Sequence, residues 1–161
     1  PLRNDILVKL LNELHEENKS LKLSFDVVGG DFERAGEASA KIKKMLKMIG
    51  VPADIVRRIA IGTYEAEMNV IIHAGGGNVA AEAFSDATVI TVSDKGPGIP
   101  DIEKALQEGW STAPDHVRQM GFGAGMGLPN MVKCSDKFDI QSVVGEGTTI
   151  TMRFEHISED L

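Results

Sequence analysis

The sequence predicts an α+β domain, on three observations. Leu21, Leu23 and Phe25 alternate with Lys22, Ser24 and Asp26, the period-two pattern of a half-buried strand. Two stretches with helical apolar spacing follow, up to residue 74. Val143-Val144 and Thr148 to Phe154 then flank a Gly145-Glu146-Gly147 turn as the arms of a hairpin.

Length and composition bound what such a domain does. With 161 residues and 42% hydrophobic content the chain suits a single core. A net charge of −7 argues against nucleic acid or an anionic membrane as partner, because both reward clustered Lys and Arg. The single cysteine, Cys134, forms no internal disulfide, and no apolar run approaches the roughly 20 residues a membrane span requires. Arg3, Asp5 and Lys9 interrupt the N-terminus, so no signal peptide is read there and the cytoplasm is the expected compartment.

In chain order, Leu2, Ile6, Leu7, Leu10, Leu11 and Leu14 mark an N-terminal amphipathic helix, treated as a separate unit over residues 1–20. It packs on the domain's own flank or serves a partner or a homodimer, and His15 at its polar end is expected to be exposed. Residues 21–161 form the main domain. Its first strand runs to Val28 before Gly29-Gly30, and Asp31 is expected to cap a helix over about residues 32–49. Ile42, Met45, Leu46 and Ile49 are its inward stripe, and Lys41, Lys43, Lys44 and Lys47 its wet face.

Asp54 is expected to cap the next helix, which runs to His73-Ala74 before three glycines. Glu65, Asn69 and His73 stand at i, i+4 and i+8, forming a polar ridge on an otherwise apolar helix. An acid one turn from an amide suits a general base beside an oxygen ligand for Mg2+. The structural alternative is an exposed acid and a satisfied core amide. Strands over 78–84 and 88–93 follow, the second delivering Asp94 to Gly96, Gly98 and Ile99. A buried carboxylate calls for a partner, and an amino-bearing ligand supplies one.

Pro100-Asp101 starts a short helix ending near Gly109. Residues 109–120 lack a period but carry hydroxyls and cations suited to phosphate, so they read as a lid or as an ordinary surface loop. Trp110 reads as a packing anchor. Gly121, Gly123, Gly125 and Gly127 recur at every other position before a helix over about 128–133. Such a run lets backbone amides approach an anion at a helix N-terminus, yet it matches neither the dinucleotide fingerprint nor a Walker ending.

Glu65-x-x-x-Asn69, Asp94-x-Gly96-x-Gly98, Gly123-x-Gly125-x-Gly127-Leu128 and Gly147-Thr148 together resemble the GHKL ATPase family over about residues 21–156. Glu108-Gly109-Trp110-Ser111-Thr112 is similar to bacterial anti-sigma factor serine kinases and switch kinases. The resemblance implies a Bergerat ATP-binding fold, a two-layer α/β sandwich with a mixed, mostly antiparallel sheet and helices on one face. It implies ATP and Mg2+ as cofactors. Asp94 would accept the adenine amino group, with Gly96 and Gly98 leaving room for the base and Thr148 assisting through water. Asn69 would hold Mg2+, and Glu65 would be the catalytic base. Ser111, Thr112 and Arg118 would reach phosphates, Gly121 to Gly127 would close over them, and Ile99, Met126 and Leu128 would belong to the same pocket.

The implied activity is a protein serine/threonine kinase phosphorylating a small anti-sigma antagonist of STAS type, with a sigma factor as second partner. The alternatives are a non-catalytic, nucleotide-switched binding module and a detached histidine-kinase ATPase domain.

Overall fold

Strand β1, Leu21–Val28, opens the domain in the computed structural model, which describes residues 5–10, 19–111, 113–115 and 126–157. Its side chains alternate between half-buried and exposed, as the period-two pattern requires. Of the N-terminal helix, residues 5–10 are helical, with Ile6 and Val8 exposed; its remainder, His15 included, lies outside the described residues.

The single helix expected over 32–49 is two pieces. Phe32–Arg34 is one 3-10 turn, and α1 spans Glu37–Met48. Gly36, at φ 88°, separates them in the left-handed region that glycine adopts without steric cost. Asp31 makes no capping hydrogen bond. The expected inward stripe of α1 is found, with Ile42, Met45 and Leu46 buried.

Helix α2, Ala53–His73, begins one residue before the expected cap, with Pro52 preceding the first turn and Asp54 inside it. An acid there still complements the helix dipole. Ile55, Val56, Ile59, Ala66, Val70 and Ile71 bury its apolar face, each large side chain contributing roughly 1.5–3 kcal/mol.

Strands β2 (Gly76–Ala83), β3 (Ala87–Asp94), β4 (Lys137–Val143) and β5 (Gly147–Glu155) complete the sheet. The order is β1-β2-β3-β5-β4, and all four pairings are antiparallel, so the expected mixed sheet is corrected to a wholly antiparallel one. The core lies between one face of the sheet and the helices, where Val79, Ile90, Ile150, Met152 and Phe154 meet Ile42, Leu46, Ile55 and Ile59. Short helix α3, Ile102–Ala105, is capped by Asp101, whose Oδ1 accepts from the Lys104 N–H at 3.1 Å. Helix α4, Gly127–Cys134, packs against α2.

Candidate active site

The polar ridge of α2 forms one wall of a cavity of about 330 Å³. The end of β3, the loop after it, Trp110, Ser111, the start of α4 and Thr148 of β5 supply the other walls. Val70, Val92, Ala105, Leu128 and Ile150 give it an apolar lining, so its few polar groups set what binds.

At one end, Glu65 and Asn69 converge on Gly127. A Cβ at Gly127 would stand 3.3 Å from Glu65 Oε2 and 3.4 Å from Asn69 Oδ1, so the start of α4 lies directly against the two side-chain ends and any side chain there would press on them. Asn130, one turn further along α4, donates through Nδ2 to Glu65 Oε1 at 3.3 Å. His73 is exposed at the rim, and partial desolvation there lowers its pKa against the upward pull of Asp94.

At the other end, sheet register sets three polar side chains in a row. Asp94 pairs with Thr148 across β3 and β5, and Thr148 pairs with Ser142 across β5 and β4. Asp94 Oδ1 accepts from the Gly96 N–H at 2.8 Å, which closes the turn leaving β3. Ser142 Oγ accepts from the Ile99 N–H at 2.7 Å and lies 2.8 Å from Thr148 Oγ1, tying the loop after β3 to the hairpin.

Gly98, at φ 76°, passes so close to the hairpin that a Cβ would stand 2.5 Å from the Val143 carbonyl oxygen. At Gly96 a Cβ would meet that of Ala74 at 2.9 Å. The steric demand for glycine at both positions therefore comes from the protein's own chain.

Of the residues expected at the site, Glu65, Asn69, Asp94, Gly98, Ile99, Ser111, Met126, Gly127, Leu128 and Thr148 all line the cavity. Gly96 sits beside it, in contact with Asp94. Thr112, Arg118, Gly121, Gly123 and Gly125, with half of the lid, lie outside the described residues. Trp110 packs against the core as expected and also lines the cavity.

Three residues went unread in the sequence. Ser142 carried a usable signal, since Phe138, Ile140 and Ser142 share the inward face of β4 by alternation. Asn130 carried none, because its contact depends on where α4 meets α2. Glu67 is 1% exposed and faces away from the ridge: its Oε1 accepts from the Ala38 N–H at 3.0 Å, and its Oε2 from the Ser39 N–H at 3.4 Å. Burial raises its pKa, opposed by the backbone donors of Ala38, Ser39 and Gly36.

The chain matches the histidine kinase-like ATPase domain over residues 30–154. It is 34% identical over 112 residues to serine/threonine-protein kinase RsbT of Bacillus subtilis (strain 168), covering 67% of this chain and 78% of that protein. An anti-sigma F factor of Geobacillus kaustophilus (strain HTA426) is 30% identical over 133 residues, 79% of this chain and 87% of that one.

Among solved structures, that of the RsbU and RsbW domains of a Mycobacterium tuberculosis protein shares the fold, with a TM-score of 0.58 at 16% identity. The alignment covers 89% of this chain and 35% of the crystallised one. The family match begins in the turn after β1, takes in every described residue lining the cavity and ends inside β5, and on that extent the chain belongs to the histidine kinase-like ATPase domain family.

Proposed function

We propose that this chain is an ATP-dependent protein serine/threonine kinase of the anti-sigma factor type, acting on a small anti-sigma antagonist protein of STAS type and also holding a sigma factor. The convergence of Glu65 and Asn69 on the N-terminus of α4 carries this reading, because it sets an acid and an oxygen ligand beside a helix start that favours anions. Similarity to a serine/threonine-protein kinase and to anti-sigma F factors supports the choice of reaction and partner.

The residues fit ATP and Mg2+. The cavity has an apolar middle for a base, the Asp94 carboxylate for an exocyclic amine, and at the far end the glycine cradle at Gly127. Asn69 Oδ1 is a hard oxygen donor of the kind Mg2+ takes in ones and twos alongside phosphate oxygens. Bound Mg2+–ATP would supply the phosphoryl group and neutralise charge on it.

The chain's residues do the rest. Asp94 anchors, with Thr148 beside it, and the apolar walls exclude water. Glu65 orients the acceptor hydroxyl and takes its proton on Oε2, so that the attacking oxygen is aligned before the bond forms.

The test is transfer from labelled ATP with Mg2+ to candidate antagonist proteins. Acid-stable phosphate on a serine or threonine is the expected product, and acid-labile phosphate would point instead to a histidine-kinase domain. Glu65→Gln is expected to slow transfer about 10²-fold or more while leaving ATP binding nearly intact. Transfer at the wild-type rate in that variant would remove the base role.

A further inference from the structure

Among the described residues, the Glu65 carboxylate receives one hydrogen bond, the 3.3 Å bond from Asn130 Nδ2. It ends on Oε1. The other oxygen, Oε2, is the one nearest Gly127, on a side chain that lines the cavity with Asn69. A glutamate side chain has three torsions to fix, and a free carboxylate at a cavity wall spreads over several rotamers. A donor on one oxygen removes that freedom and leaves the second oxygen pointed in one direction. The donor stands on α4, sixty-five residues along the chain and one turn past Gly127, so the same short helix sets both the cradle and the acid's orientation.

We propose that Asn130 is a positioning residue, its amide holding Oε1 of Glu65 so that Oε2 meets the acceptor hydroxyl. This rests on the reading of Glu65 as the base. Asparagine suits the role because its amide offers donors without adding charge beside the carboxylate. An acid at that position would repel Glu65, and an aliphatic residue would release it.

The experiment compares Asn130→Ala and Asn130→Asp with wild type and Glu65→Gln, following loss of label from ATP–Mg2+ to the antagonist protein or to water. Both Asn130 variants are expected to lose about 10-fold or more in kcat with KM for ATP little changed, the scale of a misaligned reacting group. Asn130→Asp is expected to be the slower of the two despite matching asparagine in shape. A residue that merely packs would give the reverse order. Adding Asn130→Ala to Glu65→Gln is expected to cost little more, since the amide acts through the acid.

A second readout needs no nucleotide: in a 15N-labelled ligand-free sample, the Asn130 side-chain amide signals are expected to move on Glu65→Ala. Wild-type kcat in Asn130→Asp alongside a slow Glu65→Gln would overturn the positioning role alone. A fully active Glu65→Gln would overturn the base reading, and the amide signals would still report whether the contact exists.

Discussion

The two oxygens of Asp94 stand in different surroundings. Oδ1 is committed to the Gly96 N–H, and among the described residues no hydrogen bond reaches Oδ2, on a side chain that lines the cavity. Asp94→Asn keeps the turn, because the amide oxygen takes the place of Oδ1. It also puts an NH2 where an acceptor stood, opposite the amine that the acid is proposed to bind. ATP affinity is expected to fall roughly 10- to 100-fold, the worth of a hydrogen bond to a charged group. Titration with a fluorescent ATP analogue checks this, and unchanged affinity would remove Asp94 as the anchor.

At the scale of elements, α2 serves two neighbours from opposite sides. Its ridge of Glu65 and Asn69 faces the cavity, while Glu67 receives the first N–H groups of α1. The N-terminal donors of a helix need partners, and α1 has no side-chain cap of its own. Glu67 fills that need from another helix, which explains a carboxylate 1% exposed among Ala38, Ile71 and their neighbours. Glu67→Ala leaves those N–H groups buried without an acceptor and opens a void, at an expected cost of about 2–4 kcal/mol. In urea titrations the midpoint should drop with little change in slope. Because α1 and the ridge are held from different faces of α2, ATP affinity of the folded variant is expected to stay near wild type.

Over the whole molecule the helices cover one sheet face, and the other is polar, with Ser24, Asn78 and Asp26 hydrogen-bonded across β1 and β2. At the chain's far end His156 fastens β5 to the β2–β3 turn. Its Nε2 lies 2.6 Å from Thr88 Oγ1, its Nδ1 3.3 Å from the Ser85 carbonyl oxygen, and its N–H donates to the Asp86 carbonyl oxygen at 2.8 Å. Burial lowers the His156 pKa below its ordinary 6.5, so the unfolded chain takes up a proton first as pH falls. The stability from this group is full above that value and is lost as pH drops through the folded one. Thermal unfolding at stepped pH should therefore show wild type losing stability faster than His156→Asn between about pH 7 and pH 5.5. Glu67 acts in the opposite sense, its raised pKa letting the fold take up the proton first, and both proteins carry it.

What the sequence determined by itself is what short-range periodicity encodes. The spacing of Glu65, Asn69 and His73 places them on one helical face, β3 delivers Asp94 to its end, and alternation orients β1, β4 and β5. The break at Gly36 is not legible in the sequence, because the left-handed backbone angle there is one that apolar spacing and composition do not reveal. Tertiary structure alone decided that Glu67 leaves the ridge for α1, that Asn130 reaches Glu65, and that Asp94, Thr148 and Ser142 stand in one row. Those contacts join residues far apart in the chain, and helix crossing and strand register, which no local pattern specifies, bring them together.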